Sequence, residues 1–324
     1  MAVLNVGPSD LHLTIAAAMA VAAPGDTIVL AAGYSNETAT VTVSGITVTG
    51  DANSLGIVLT MATNVTGLTL GGAAPIDIFD SAGSNGIITG NSGANLITVT
   101  NGIDVVDGGA GIDRLVIDYR GGGVVTGSSA SGAFTAADGR SVTIVGGSIE
   151  NFTILSGDGI DIITTGAGDD IINAGDGANT IVAGDGKNLV ITGSGIDTIT
   201  TGSGDDTIQA GDGASTIVAG AGNNVITTGF GVDTITFLDG NNVIAVGAGA
   251  STITGGNGNN NITGGLEAGI GTIALGIGNN VIHMGDGANT ITAGPTGSGN
   301  NTVTTGSGAD TITLGGGNNN ICGR

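Results

Sequence analysis

A nine-residue period governs the second half of this 324-residue chain. Residues 157 to 323 divide into eighteen units, sixteen of them nine residues long; the unit 265–275 carries two extra residues and 294–305 three. Glycine usually fills the first and third positions, and the seventh is Ile or Val in every unit, from Ile163, Ile172, Ile181 and Val190 through to Ile321. Glycine at this density is incompatible with helix, and it supplies the positive φ that tight turns need. A lone branched aliphatic per unit fits a short strand, whose alternate side chains point to opposite faces. One unit therefore reads as a turn plus a strand, with the seventh side chain inward and the sixth and eighth outward. Two units make one coil with strands on opposite sides, and nine such coils at the strand spacing give a solenoid roughly 43 Å long. The fourth position runs Asp169, Ala178, Lys187, Ile196 and then Asp205, Ala214, Asn223, Val232, the mark of a duplicated 36-residue, two-coil unit. The fold class expected is all-β, a parallel β-solenoid.

Composition agrees and narrows the function. The chain has 66 Gly, seven aromatic residues and no Trp, too few large side chains for a globular core of this size. Acidic residues outnumber basic ones 27 to 5, for a net charge of −22. That excludes nucleic acid as a partner, since phosphate binding needs Lys and Arg, and it makes cations the natural counter-charge. The single cysteine, Cys322, has no internal partner and reads as an unpaired packing residue. No apolar run reaches the ~18 residues of a membrane span. Nothing before Arg114 is basic, so the apolar stretch 13–23 lacks the charged start of a cleaved signal peptide. Two His (His12, His283) and five basic residues (Arg114, Arg120, Arg140, Lys187, Arg324) form no evident catalytic cluster, so an enzyme is not expected.

The N-terminal part differs. Residues 11–22 can form a short helix, which Pro24 and Gly25 end. The strands TIVLAAG, TATVTVSG and ITVTGD follow. A solenoid's first coil exposes its aliphatic ladder and needs a lid, and a small apolar helix can be one. This opening, with AAPGDTIVLAAG after an alanine-rich segment, resembles the start of right-handed β-helix proteins of the pectin-lyase type. Residues 71–156 carry imperfect units around Asp104 and Asp113. The organisation expected is a helix-capped β-helix start over 1–70, a transitional solenoid over 71–156 and a nonapeptide-repeat region over 157–324.

The units GSGDDTIQA (202–210), GAGDDIINA (166–174) and GGAGIDRLV (108–116) resemble the RTX, or hemolysin-type, calcium-binding nonapeptide G-G-x-G-x-D-x-U-x, where U is a large aliphatic. The resemblance implies a right-handed parallel β-roll, with Ca2+ held in the turns by the Asp carboxylate and glycine-rich backbone carbonyls. Calcium takes six to eight oxygen ligands, carbonyls among them. The chain departs from the pattern at the fifth position of the unit, where the family's Asp belongs. Asp stands there in six of eighteen units (Asp161, Asp170, Asp197, Asp206, Asp233, Asp310), Asn in nine, Ser in two and Gly in one. One side of the roll reads Asp161, Asn179, Asp197, Ser215, Asp233, Ser251; the other reads Asp170, Asn188, Asp206 and then Asn224, Asn242, Asn260, Asn280, Asn301, Asn319. Further Asp at the second or fourth position can add ligands: Asp158, Asp169, Asp176, Asp185, Asp205, Asp212 and Asp239. Several Ca2+ ions are therefore expected mainly within 104–240, with Asp104 and Asp113 as ligands in the imperfect units. Beyond 240 a ladder of stacked Asn side chains replaces them.

One face carries repeated T-I-T or T-I-V triplets, at 180–182, 198–200, 216–218, 234–236, 252–254, 290–292 and 311–313. Such a flat Thr array resembles the ice-binding face of solenoid antifreeze proteins, although Thr suits any solvated strand. The other face presents Leu189, Ile191, Val225, Val243 and Val281, a candidate association stripe. The function expected is that of a secreted calcium-binding structural protein, a self-associating subunit of a surface layer, matrix or filament, with cell-surface polysaccharide a further partner. An ice-binding or adhesive solenoid is the alternative, and a polysaccharide-modifying β-helix enzyme ranks behind it. The RTX resemblance implies export from a bacterium by type I secretion without an N-terminal signal. The closing GGGNNNICGR shows neither a lid nor that pathway's C-terminal signal, and an uncapped last coil is compatible with stacking onto another subunit.

Overall fold

The computed structural model describes residues 1–80, 83, 85–265 and 271–323, and for 295–298 the backbone alone. The extra residues of the unit 265–275, and Arg324, fall outside the described residues. The chain is all-β apart from one short helix among the described residues. It divides into two units, Met1–Ser156 and Gly157–Arg324.

The second unit is a parallel solenoid of nine coils. On its first face, strands from Ile162–Thr164 to Thr311–Gly316 each pair parallel with the strand one coil on. On its second face the same holds from Ile171–Gly175 to Asn320–Cys322. The seventh-position aliphatics lie in register, Ile163, Ile181, Ile199, Ile217 and Ile235 on one side and Ile172, Val190, Ile208, Ile226 and Ile244 on the other. Each of these is fully buried or nearly so, and each contributes roughly 1.5–3 kcal/mol of burial.

The interior is wider than one aliphatic per strand. The fifth, seventh and ninth positions all point inward: in 193–201, Asp197, Ile199 and Thr201 are buried while Ser194, Ile196 and Thr198 are exposed. The two-residue alternation simply continues past both ends of the strand. Lumen width explains the scarcity of aromatics. Phe237 fits at a ninth position because the residue stacked on it is Gly255, where any Cβ would meet the Phe237 ring. The third-position glycines are fixed by the stacking too. Gly213 has φ +130, and a Cβ there would overlap the carbonyl oxygen of Gly195 one coil earlier.

The first unit is a less regular solenoid with parallel pairing on both faces, among them Thr27–Leu30 on Ile46–Gly50 and Ile57–Met61 on Ile76–Asp80. The helix is only Ile15–Met19, shorter than the expected 11–22, and a strand, Val3–Val6, precedes it. Thr14 caps it through Ala17 N, and the Glu37 carboxylate accepts the N–H groups of Ile15 and Ala16. These local acceptors fix its start, and Ile15, Ala18 and Met19 bury one side. An excursion leaves the coil after Arg114–Asp118. Val125–Ser128, Ala133–Ala136 and Ser141–Ile144 form an antiparallel meander, after which Ser141–Ile144 resumes the parallel stack on Ile103–Gly109. The period is lost here because turn residues (GGG at 121–123, SSASG at 128–132) replace the nine-residue spacing. Phe134 and Phe152 meet beneath it, ring centres 5.7 Å apart. Cys322 is exposed rather than packed.

Candidate metal centre

At each corner of the second unit a turn hands over to a strand, and there the fifth residue's backbone N–H points along the stack. At most of these corners a side chain one coil later accepts it. Asn179 Oδ1 accepts from Asp161 N at 3.0 Å, and Asp197 Oδ1 accepts from Asn179 N at 2.9 Å. On the opposite corner the chain of acceptors runs Asn188 from Asp170, Asp206 from Asn188, Asn224 from Asp206 and Asn242 from Asn224, at 2.9–3.1 Å. Asn260, Asn280, Asn301 and Asn319 continue it, each accepting from the Asn before. All but the terminal Asn319 are buried.

The amide has a second role that a carboxylate cannot fill. Asn179 Nδ2 donates to the carbonyls of Gly175 and Gly177 at 3.1 and 3.2 Å, and Asn188 Nδ2 does the same with Gly184 and Gly186. An Asp at this place puts a bare oxygen where the N–H₂ would be. The Oδ2 atoms of Asp197 and Asp206 are buried without a hydrogen bond in good geometry. Burial raises both carboxyl pKa values, opposed by hydrogen bonding from Asn179 and Asn188 and by the neighbouring hydroxyls of Thr192 and Thr201. Buried carboxylates of one corner are never in adjacent coils: Asn179 separates Asp161 from Asp197, Ser215 separates Asp197 from Asp233, and Asn188 separates Asp170 from Asp206. One coil is only ~4.8 Å, and like charges that close in a poorly solvated site repel strongly.

A second ladder lies outside and runs the other way. Asp169 Oδ1 accepts from Lys187 N, Asp176 from Ser194 N and Oγ, Asp185 from Ser203 N and Oγ, Asp205 from Asn223 N, and Asp212 from Phe230 N, all one coil later. These bonds hold the Asp176 and Asp185 carboxyls below the ordinary range. From Asn223 the ladder continues through Asn241, Asn259, Asn279, Asn300 and Asn318.

The sequence-derived acidic set thus separates by depth. Asp161, Asp170, Asp197, Asp206 and Asp233 line the interior corners, and Asp158, Asp169, Asp176, Asp185, Asp205 and Asp212 are exposed on the turns. In the first unit Asp104 and Asp113 are buried and use the same 18-residue offset, accepting from Gly86 N at 2.9 Å and Asn95 N at 2.7 Å. Burial, with Asp80 nearby, pushes the Asp104 carboxyl up to about 7; burial, with Glu150 and Asp107 nearby, pushes Asp113 up to about 6.

A family model for the RTX calcium-binding nonapeptide repeat matches residues 82–116, 155–190, 191–214, 200–235, 209–244, 238–270 and 295–324, more than half of the chain. The chain belongs to the RTX calcium-binding repeat family. RTX repeats are calcium-binding motifs, typical of secreted or extracellular bacterial proteins. A search of curated proteins finds no match. No helix among the described residues is long and apolar enough to cross a membrane. The ligand atoms at the RTX corners fit calcium, being carboxylate and carbonyl oxygens, and the Oδ2 atoms of Asp197 and Asp206, buried with no hydrogen bond in good geometry, mark where positive charge is lacking. No three Asp, Glu, His or Cys side chains converge among the described residues, so carbonyls must supply much of any calcium shell.

Two features were not visible in the repeat pattern. The ninth-position hydroxyls are buried beside the acidic corners: Thr228 Oγ1 donates to Asp233 Oδ2 at 2.7 Å. The basic residues are also less scattered than expected. Arg120 and Arg140 come together across the Tyr119 turn, Arg120 bound to Asp118 and Arg140 to Asp138, with the Arg140 guanidinium 5.1 Å from the Tyr119 ring centre. Arg140 also donates to the carbonyls of Thr100 and Tyr119, so it staples the excursion to its coil.

A buried carboxyl with a raised folded pKa binds its proton more tightly folded than unfolded. Its contribution to stability is fullest near the ordinary carboxylate range and falls as pH rises through the folded value. In calcium-free buffer the thermal midpoint should therefore drop between pH 5 and pH 7.5, the window set by Asp104 and Asp113. Asp176 and Asp185, held low, stay ionised throughout it. Differential scanning calorimetry should show the drop, and Asp104→Asn should flatten it; a midpoint that rises with pH would contradict this electrostatic account.

Proposed function

We propose that this RTX protein is a secreted, non-enzymatic structural protein whose acidic corners bind calcium and are stiffened by it, and that it self-associates as a subunit of a surface layer, matrix or filament. The observation that carries the reading is the pair of buried carboxylates, Asp197 and Asp206, each with an oxygen that lacks a good donor. Each has a second carboxylate near enough to raise its pKa further, Asp176 for Asp197 and Asp205 for Asp206. A divalent ion at either corner neutralises both members and is completed by turn carbonyls. Asp161, Asp170 and Asp233, with Asp158, Asp169, Asp185 and Asp212, form the other acidic corners of this stretch. Beyond Asn242 the inner side chains are mostly amides that already close their own glycine carbonyls, so few ions are held there, Asp310 being the one acidic inner corner. A site filled at a hundred times its Kd adds about 2.7 kcal/mol to stability.

Self-association is supported by exposed aliphatics on the second face, Val225 at 43% and Val243 at 45%, beside the 36%-exposed Ile171 and Val281. Calcium, by reducing the charge of −22, allows such faces to approach. Removing calcium should weaken the β signal in circular dichroism, chiefly from the acidic coils, and returning it should restore that signal and raise the mass seen by light scattering. A spectrum indifferent to calcium removal would sink the ion claim, and a monomer at all concentrations in calcium would sink self-association.

A second reading has its own observation. Thr180, Thr198, Thr216, Thr234, Thr252, Thr272, Thr290 and Thr311 stack in register as one uninterrupted outward column. A regular, rigid hydroxyl array suits an ice-binding or adhesive surface. On that reading the protein shows thermal hysteresis that disappears when Thr198, Thr234 and Thr252 are replaced by Lys; no hysteresis in the parent protein removes ice binding.

A further inference from the structure

The residue just ahead of each acidic repeat is a hydroxyl. Ser156, Thr165, Thr192, Thr201, Thr228 and Thr305 stand five residues before Asp161, Asp170, Asp197, Asp206, Asp233 and Asp310. None of the twelve units with Asn, Ser or Gly at the fifth position is preceded by one, although the lengthened unit 294–305 holds Thr296 within itself, five residues before Asn301. Ala174 comes before the unit of Asn179, Ala183 before that of Asn188, Ala219 before that of Asn224, Phe237 before that of Asn242, and only Ala, Val, Leu, Met or Gly before the rest. Composition alone does not generate six matches in six and none in twelve.

The geometry gives the reason. The ninth and fifth positions both point inward, across the intervening turn. In an amide corner the Asn Nδ2 turns to the first and third glycine carbonyls, as Asn179, Asn188 and Asn224 do, and the ninth residue has only to fill space. In an acidic corner the same atom is an oxygen and needs a donor. Thr228 supplies it to Asp233 at 2.7 Å, both side chains buried. The hydroxyls of Thr192, Thr201 and Thr305 lie beside Asp197, Asp206 and Asp310 and offset part of their burial. Thr165 differs, its hydroxyl donating to the Ala183 carbonyl one coil on. No amide is then present to occupy the glycine carbonyls of the acidic turn, such as those of Gly193 and Gly195. They are left as oxygen ligands next to a fixed carboxylate.

We propose that the ninth-position hydroxyl is a positioning residue that makes a corner competent for a divalent cation, and that the acidic and the amide corners of the nonapeptide repeats are two types, hydroxyl with Asp and apolar residue or Gly with Asn, that interconvert only by changing both residues. The proposal rests on the calcium reading for its ion and on the corner geometry for its pairing. It predicts which coils bind from the ninth position as well as the fifth. Asp239, on a turn whose inner residue is Asn242 behind Phe237 and followed one coil on by Asn260, is not an ion site despite its charge.

The test uses the full-length chain and four proteins: the parent, Thr192→Ala, Thr192→Ser, and Thr192→Ala with Asp197→Asn. In calcium-free buffer Thr192→Ala should melt below the parent, because Asp197 loses the hydroxyl that offsets part of its burial, and the double variant should melt at or above the parent as an ordinary amide corner. Titration calorimetry with calcium chloride should show one site weakened about ten-fold or more in Thr192→Ala, retained in Thr192→Ser and lost in the double variant. A double variant no more stable than Thr192→Ala without calcium, or Thr192→Ala binding calcium with unchanged number and affinity, overturns the proposal. If the parent takes up no calcium, the functional reading falls instead, and the calcium-free melts alone decide whether hydroxyl and carboxylate form a pair.

Discussion

The backbone N–H of the fifth residue at each corner is the group around which this fold is arranged. Turn and strand meet there, and the N–H, directed along the stack and buried, must find an acceptor. The next coil provides it as a side-chain oxygen rather than a carbonyl. That choice admits only short oxygen-bearing side chains, which is why Asp, Asn and Ser hold all but one of the eighteen positions. The exception, Gly271, offers no such oxygen to Ser251, although its own N–H donates to Asn289 Oδ1 at 3.2 Å. Omitting such a bond leaves a buried polar group unpaired, at about 1–3 kcal/mol.

Charge follows from the same corner. Either Asp or Asn satisfies the N–H, so the difference lies in the second atom of the side chain. Nitrogen closes the turn on itself, through two glycine carbonyls at Asn179 and Asn188 and through one glycine carbonyl plus the next coil's Asn Oδ1 at Asn242, Asn260 and Asn280; oxygen leaves it open and negative. Alternation of Asp161, Asn179 and Asp197 keeps buried charges two coils apart, and the run of Asn from Asn242 to Asn319 removes them from its own corner, leaving Asp310 on the other. The inner ladder therefore joins an ion-seeking stretch to a self-sufficient one within one stack. The outer ladder of Asp205, Asn223, Asn241 and Asn259 runs the opposite way and ties each turn to the next from the solvent side.

The seventh-position aliphatics, the two-strand coil and the parallel register were all legible in the sequence, because a strict period constrains every coil alike. The Asn ladder was legible as well. Burial of the fifth and ninth positions was not. Asp in a glycine-rich turn ordinarily reads as solvated, and Thr192 or Thr201 looks like any strand residue until its partner lies across the turn. The pairing of Ser156, Thr165, Thr192 and the others with the aspartates was present in the letters, but it carries meaning only once positions five and nine are known to share one interior. In the first unit the excursion over 119–140 was hidden for the opposite reason: its antiparallel strands have no period to betray them. The helix was over-read because alanine propensity extends beyond Met19, whereas Thr14 and Glu37 fix its start.

Native-state hydrogen exchange, read along the chain with and without calcium, tests the central claim most directly. The account predicts that amides of Asn179, Asn188, Asp206 and their coils lose protection when calcium is removed, while those of Asn242, Asn260 and Asn280 keep it. Uniform loss of protection across both stretches, or none in either, would contradict a stack held by ions in one part and by amide ladders in the other.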